Sequence, residues 1–375
     1  MTTLCVAVGA AQILFTLRFI RRLRALPASR YGGEAAPPVS VIVPCKGSAE
    51  RSGETFSSLL GQDYAGPVEY LFVVPSRTGP LFAKLEALLQ AASGGRARLL
   101  VSGAEPVSCS EKILNLLHGY RHASENSRIL VFADFDLVFP RGWLSALVAG
   151  LRDPAVGCST AHALPEAEGL PGELMRLWAA AGIVYLDSMG VVSGNSMAIS
   201  KDNFAGLEVE RAWRTSLCED LTLAGLLEKS GKKVSFAAAA ISACSSPRSL
   251  EEVFSLTNKW MLYFRFYVLP VWLLGAALTF FKFYAAGRGL ACGAFGPLLV
   301  LLASDMLNLS LVSAALAPYG GRLSRRQPPW RRLALALLLQ VLYAVNFIAS
   351  ALRREVQWGG YHYRLFSAGR VEVLP

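Results

Sequence analysis

Residues 333–352 run for 20 positions without a charged side chain, the length an α-helix needs to cross the hydrocarbon of a bilayer. Three further apolar runs accompany it, over 1–17, 266–281 and 290–317. Charged residues make up only 17% of the 375, against about 25% in soluble domains, and mean hydropathy is +0.39. These figures exclude a disordered chain, a collagen-like repeat and a disulfide-framework miniprotein. They point to a chain that meets a membrane.

The formal net charge of +10 is not spread along the chain. Arg18, Arg21, Arg22, Arg24 and Arg30 follow the first apolar run without an acid between them, and residues 318–375 hold nine Arg against Glu355 and Glu372. Everything else is slightly acidic. Positive charge flanking apolar segments sets topology and meets anionic headgroups, so the reading is no nucleic acid partner. An uncharged run followed by arginines is a signal anchor and not a cleaved leader, whose positive charge comes first. The domain after the anchor is therefore expected in the cytoplasm, and with it the loop 318–332 and the tail. One span cannot separate those two segments, so one apolar run is expected to be re-entrant or interfacial. Asp305 and Asn308 lie inside the third run, and an intramembrane acid is a functional candidate by default. The seven cysteines are scattered, with no CxxC pair and no zinc spacing, which suits reduced thiols in a reducing compartment. Arg outnumbers Lys 28 to 9, a bias of GC-rich genomes that suggests a bacterial inner membrane.

Between anchor and C-terminal spans, apolar strand-like runs recur at 39–43, 68–74, 97–101, 129–133 and 191–199. Amphipathic helical stretches alternate with them at 82–92, 111–122, 143–151 and 220–229. That alternation predicts an α/β domain with a mostly parallel sheet covered on both faces. Ligands of such sheets bind beyond the carboxyl ends of the strands. The expected organisation is an anchor over 1–20, a cytoplasmic domain over 37–260, transmembrane or interfacial helices over 261–352 and a tail over 353–375.

The residues that follow the strands are the candidates. Pro44-Cys45-Lys46-Gly47 closes the first run, and a Lys beside a Gly can meet a phosphate while the Gly admits close backbone approach. No P-loop and no GxGxxG occurs, which argues against those nucleotide sites. Asp134-Phe135-Asp136 leaves an otherwise apolar strand. Its carboxylates suit a divalent cation bridging a diphosphate, or simply a solvated turn. Ser193-Gly194-Asn195-Ser196 lies in the last strand-like run. Glu219-Asp220 opens a helix, either serving its dipole or supplying a general base. His162 is a further candidate, beside the reading of a structural histidine.

Together, in this order, these pieces resemble the ceramide glucosyltransferases and their bacterial relatives, within the family-2-like glycosyltransferases of GT-A fold. The turn of 41–47 is similar to the family's first strand and its Pro-x-Lys-Gly beside the nucleotide, so Pro44 and Lys46 take donor positions. LLGQDY at 59–64 is similar to the next helix end. EKILNLLHGY at 111–120 looks like the family's lysine-and-asparagine helix, which puts Lys112 and Asn115 at the donor. Asp134, with Asp136 beside it, falls on the metal and donor-phosphate aspartate. His162, Gly194, Asn195 and Glu219 fall on positions lining the acceptor, and Asp220 on the catalytic base. VQWGGYHYRL at 356–365 is similar to the tail signature, with Trp358, Tyr363 and Arg364 in place.

What the resemblance implies is a GT-A domain between membrane anchors and an inverting transfer of a hexose, glucose by family, from a UDP-sugar to the hydroxyl of a ceramide-like membrane lipid. The expected cofactor is Mg²⁺ or Mn²⁺. Two departures stand out. The acid expected after the second strand is missing from VVPSRTGP at 73–80, and the Gln/Arg-x-x-Arg-Trp motif reads Leu256-Thr257-Asn258-Lys259-Trp260, leaving Lys259 and Trp260 as donor residues. A processive polysaccharide synthase and an inactive lipid-binding scaffold are the alternatives.

Overall fold

The computed structural model describes residues 1–25, 36–47, 50–92, 95–319 and 328–375. Arg30 and most of the arginine-rich loop expected in the cytoplasm, 320–327, lie outside the described residues. The chain forms two compact units. One comprises Pro27–Ala163, Gly190–Cys244 and Glu355–Pro375, the other Met1–Leu26, Leu164–Met189 and Ser245–Arg354. The units interleave along the chain, so neither is one continuous segment.

The first unit is built on a seven-stranded sheet. Its strands are β1 (Val39–Pro44), β2 (Val68–Val74), β3 (Ala97–Val101), β4 (Ile129–Ala133), β5 (Val156–Ala161), β6 (Ser196–Ser200) and β7 (Lys233–Phe236), ordered β3-β2-β1-β4-β6-β5-β7. All pairs are parallel except those made by β6 with β4 and β5. Alternate residues of the central strands serve two cores, as the period of a strand requires. Val41, Val43, Phe72 and Val131 face one, packed with Trp143 and Leu147. Ile42, Leu71, Leu130 and Phe132 face the other, packed with Ile113, Leu116 and Leu117 of helix α2 (Glu111–Arg121). Gly119 lets that helix sit close on β1, since a Cβ there would lie 2.4 Å from Ile42 Cγ2. The strand expected over 191–199 begins only at Ser196. Before it, Thr160 Oγ1 takes the Ser193 amide at 2.9 Å and donates to Ser196 O at 2.8 Å, which folds 193–195 into a turn. The C-terminal residues form a three-stranded antiparallel sheet of β8 (Glu355–Trp358), β9 (Tyr361–Ser367) and β10 (Arg370–Leu374).

The second unit is helical: α1 (Thr2–Ala25), α3 (Gly169–Ser188), α5 (Leu250–Tyr267), α6 (Leu269–Ala291), α7 (Gly296–Leu316) and α8 (Pro329–Leu352), with α4 (Glu219–Lys229) belonging to the sheet unit. Among the described residues, α1, α6, α7 and α8 are long and apolar enough to cross a membrane. α3 lies outside the elements expected from sequence, its start being punctuated by Gly169, Pro171 and Gly172. The acid inside the third apolar run has partners. Asp305 receives Lys282 Nζ at 2.6 Å and Gln340 Nε2 at 3.1 Å, Lys282 also reaches Gln12 Oε1 at 3.3 Å, and Asn308 accepts from Thr16 Oγ1 at 2.5 Å. These bonds tie α1, α6, α7 and α8 together at mid-helix, satisfying polar groups that would be costly in hydrocarbon.

Candidate active site

Four elements of the sheet unit converge beyond the carboxyl ends of β1 and β4. Asp134 is the first residue after β4, and its amide donates to Asn195 O at 3.2 Å. Ser110 caps the start of α2, its hydroxyl accepting the Ile113 amide at 3.3 Å, as N-cap serines do. This fixes Lys112 in the first turn. α4 opens with Glu219 and Asp220, acids placed favourably at a helix N-terminus.

At the centre lies an ammonium between carboxylates. Lys112 Nζ is 2.5 Å from Asp134 Oδ1 and 2.6 Å from Glu219 Oε1. Burial by itself would push the Lys112 ammonium down, but Asp134 and Glu219 overcome it and hold it well above its usual range. Burial pushes Glu219 up to about 7, against the pull of Lys112 and with help from Asp220 and Asp134. The cluster is therefore one coupled unit in which several protons compete.

Asp220 is held from three sides. Its Oδ2 accepts the Gly194 amide at 2.7 Å, and its Oδ1 accepts the Leu221 amide at 2.7 Å and Cys218 Sγ at 2.9 Å. Burial, with Asp220 and Glu219 nearby, raises the Cys218 thiol well above its ordinary range, so it stays protonated and serves as donor. A carboxylate offers about four lone-pair sites, so Asp220 keeps acceptor capacity. Gly194 leaves room for the cluster: a Cβ would sit 2.5 Å from Glu219 Oε1, 3.1 Å from Asp220 Oδ2 and 3.2 Å from Lys112 Nζ, so those charged ends would have to move.

Asn195 links the rest. Its Nδ2 donates to Asp134 Oδ2 at 3.4 Å, and its Oδ1 accepts from Ser193 Oγ at 3.1 Å and from the Ala163 amide at 3.3 Å. The last bond ties the strand end carrying His162 to the cluster. The His162 ring packs 5.7 Å from Phe236, and its buried Nε2 has no hydrogen-bond partner among the described residues. Burial lowers its pKa to about 4, so the imidazole is neutral.

Lys46 follows Pro44 and the buried Cys45, whose amide is anchored on Val73 O at 2.7 Å. Its ammonium pairs with Glu111 and lies 5.1 Å over the Tyr361 ring. Asn115 accepts from Ser102 Oγ at 2.6 Å, just past β3. Asp136 is exposed on the turn after Asp134. Lys259 and Trp260 lie on α5 in the helical unit, where Trp260 stacks on Trp178 at 5.1 Å.

Sequence reasoning gave no role to Glu111, Cys218, Tyr361 or Tyr363. Tyr363 accepts the Glu111 amide at 3.3 Å, so the tail braces the start of α2. The available signal was the tail signature at 356–365, which marks the residues but not what they touch. Where an acid was expected after β2, Ser76 and Thr78 share a hydroxyl hydrogen bond at 2.7 Å.

No group of three or more His, Cys, Asp or Glu side chains able to hold a metal ion occurs among the described residues. Asp134 nevertheless offers hard oxygen, and among the described residues its Oδ2 is engaged only by the long contact to Asn195. That fits a divalent ion that takes most of its ligands from a substrate's phosphates and water.

The chain belongs to glycosyl transferase family 21, whose profile matches residues 1–371. Its sheet unit has the GT-A fold of glycosyltransferases. Among solved structures, the mannosyltransferase PcManGT from Pyrobaculum calidifontis, in complex with GDP-Man and Mn²⁺, superposes with a TM-score of 0.51 at 17% identity, over 94% of this chain and 97% of that one. Residues 1–349 of TarS from S. aureus align at 13% identity with a TM-score of 0.40, over 90% of this chain and 99% of that one. No curated protein sequence matches the chain.

Proposed function

We propose that this glycosyltransferase moves a hexose, glucose by family resemblance, from a UDP-sugar onto the hydroxyl of a membrane lipid, ceramide-like or related, with inversion at the anomeric carbon. The observation that carries the reading is the Asp220 carboxylate, fixed by Gly194, Leu221 and Cys218 beside the Lys112 bridge.

In this reading Asp220 takes the proton of the acceptor hydroxyl as its oxygen bonds to the anomeric carbon. The bond from that carbon to the donor's phosphate oxygen breaks, and UDP leaves with the electron pair. A single displacement with one base inverts the centre. Lys112 and Lys46 supply positive charge where negative charge develops on the diphosphate, with Pro44 and Asn115 completing the donor side. Asp134, with Asp136 beside it, would hold Mg²⁺ or Mn²⁺, which when bound acts as a Lewis acid on the diphosphate. His162, Gly194, Asn195 and Glu219 line the acceptor side.

The apolar helices support a lipid acceptor, whose tails can stay in the bilayer. Topology adds an argument. The helical segment Ser245–Arg354 leaves the sheet unit at Cys244 and returns to it at Glu355. If the sheet unit stays on one side of a membrane, that segment crosses an even number of times, so at most two of α6, α7 and α8 cross. Cytoplasm is the side that suits reduced thiols, and none of the seven cysteines forms a disulfide among the described residues. The Ser76–Thr78 pair in place of an acid favours the inactive-scaffold alternative, and transfer decides between them. Purified protein with UDP-[¹⁴C]glucose, a lipid extract and Mn²⁺ should yield one labelled lipid, lost in Asp220→Asn. Absence of any labelled lipid while UDP still binds would reject the sugar or the lipid, and absence of UDP binding would reject the enzyme.

A further inference from the structure

The sequence reading gave the arginines after the first apolar run a topological role and a general affinity for anionic headgroups, but no built site. In the helical unit they line a cavity of about 560 Å³ with Phe15 and Ser188, a size in the range of small-molecule sites. Arg18, Arg21 and Arg22 stand at i, i+3 and i+4, so α1 presents them on one face. One turn earlier Phe15 stacks on Tyr185 of α3, with centroids 5.4 Å apart and planes at 25°, giving the arginine face an apolar floor. No acid lines the cavity among the described residues. Asp187 meets Arg22 at 3.6 Å, while Arg18 and Arg21 form no ion pair among the described residues. Topology alone needs positive charge somewhere near the span. It does not need three guanidiniums turned into one hollow over an aromatic pair.

We infer that this cavity is a binding site for the phosphate headgroup of an anionic phospholipid, distinct from the transfer site on the sheet unit. Two uncommitted guanidiniums match a phosphodiester in charge, and their planar forks can each grip two phosphate oxygens. The Phe15–Tyr185 stack suits the glycerol and the upper acyl carbons. The end of α1 that carries the arginines is the end of an apolar stretch, which is the depth at which headgroups lie. The inference rests on the reading of α1 as a membrane helix.

The test uses the full chain purified in detergent, with bound lipid counted by native mass spectrometry against phosphatidylglycerol, phosphatidylcholine and inorganic phosphate. Phosphatidylglycerol should be retained about tenfold over phosphatidylcholine. Arg18→Lys/Arg21→Lys keeps the charge that orients the helix but removes the forks, and Ser188→Phe fills the cavity with no change of charge. Each should reduce the preference several-fold, with unchanged melting in lipid-free detergent showing that the fold is intact. An undiminished preference in both variants would overturn the site. Displacement of the lipid by millimolar inorganic phosphate would assign the cavity to free phosphate instead. Release of the wild type from membranes by alkaline carbonate would defeat the membrane reading itself, independently of any lipid count.

Discussion

Lys112 reaches across from α2 to place its ammonium 2.5 Å from Asp134 Oδ1, so the aspartate at the end of β4 is neutralised by a residue 22 positions earlier in the chain. The same ammonium meets Glu219 at 2.6 Å. One cation thus holds three elements together: the end of β4, the first turn of α2 and the first turn of α4.

Breaking that bridge from one side should be costly. Lys112→Met leaves two carboxylates facing each other and should destabilise the sheet unit by about 3 kcal/mol, the range for orphaning one member of a buried ion pair. The double variant Lys112→Met/Glu219→Gln should recover part of the loss. Thermal melts of all four proteins give the coupling, and simple additivity would count against the bridge.

Asp220→Asn should leave UDP binding within about twofold and reduce transfer by about 10²–10⁴-fold, the usual share of a general base. Single-turnover rates with pre-bound donor separate the two quantities. An equal fall in binding and rate would make Asp220 a structural residue.

Gly194→Ala drives a methyl into Glu219, Asp220 and Lys112, with approaches of 2.5–3.2 Å. It should cost about 1–3 kcal/mol of stability and most of the transfer rate. Gly182→Ala on α3, where a Cβ meets nothing within 4 Å, is the matched control and should leave both unharmed, since alanine favours a helix.

His162 makes stability depend on acid. Its pKa is lowered by burial from 6.5 to about 4, so below pH 6.5 the unfolded chain takes up a proton that the folded one refuses. Stability should fall by up to about 3 kcal/mol between pH 6.5 and 4, and no further below. Melts across that window should show a shallower slope for His162→Phe.

The return of the tail to the sheet unit fixes where the C-terminus lies. In a bacterial host, a green fluorescent protein fused after Pro375 should fluoresce and an alkaline phosphatase fused there should be inactive, because the tail shares the compartment of the sheet. The reverse pattern would put the tail outside the cytoplasm, either together with the sheet unit or through an odd number of crossings after Cys244.

The sequence by itself determined the class of the molecule. Uncharged runs of membrane length, arginines at their ends and apolar strands alternating with amphipathic helices are local patterns, fixed by the periods of helix and strand. Asp134, Glu219 and Asp220 were legible because acids at the ends of apolar elements are conspicuous. Gly194 drew notice only through its motif. Its necessity, like the Cys218 thiol on Asp220 and the Tyr363 hydroxyl on the Glu111 amide, depends on distances between segments far apart in the chain. Asp305 reads as an isolated intramembrane acid until folding brings Lys282 and Gln340 to it. Residues 18–22 read as general flanking charge until α3 completes a cavity beside them. Periodicity reports which face of an element is buried, and only the packed chain decides what that face meets. An ion pair or a hydrogen bond needs its partner within about 3 Å, and that is set by tertiary structure alone.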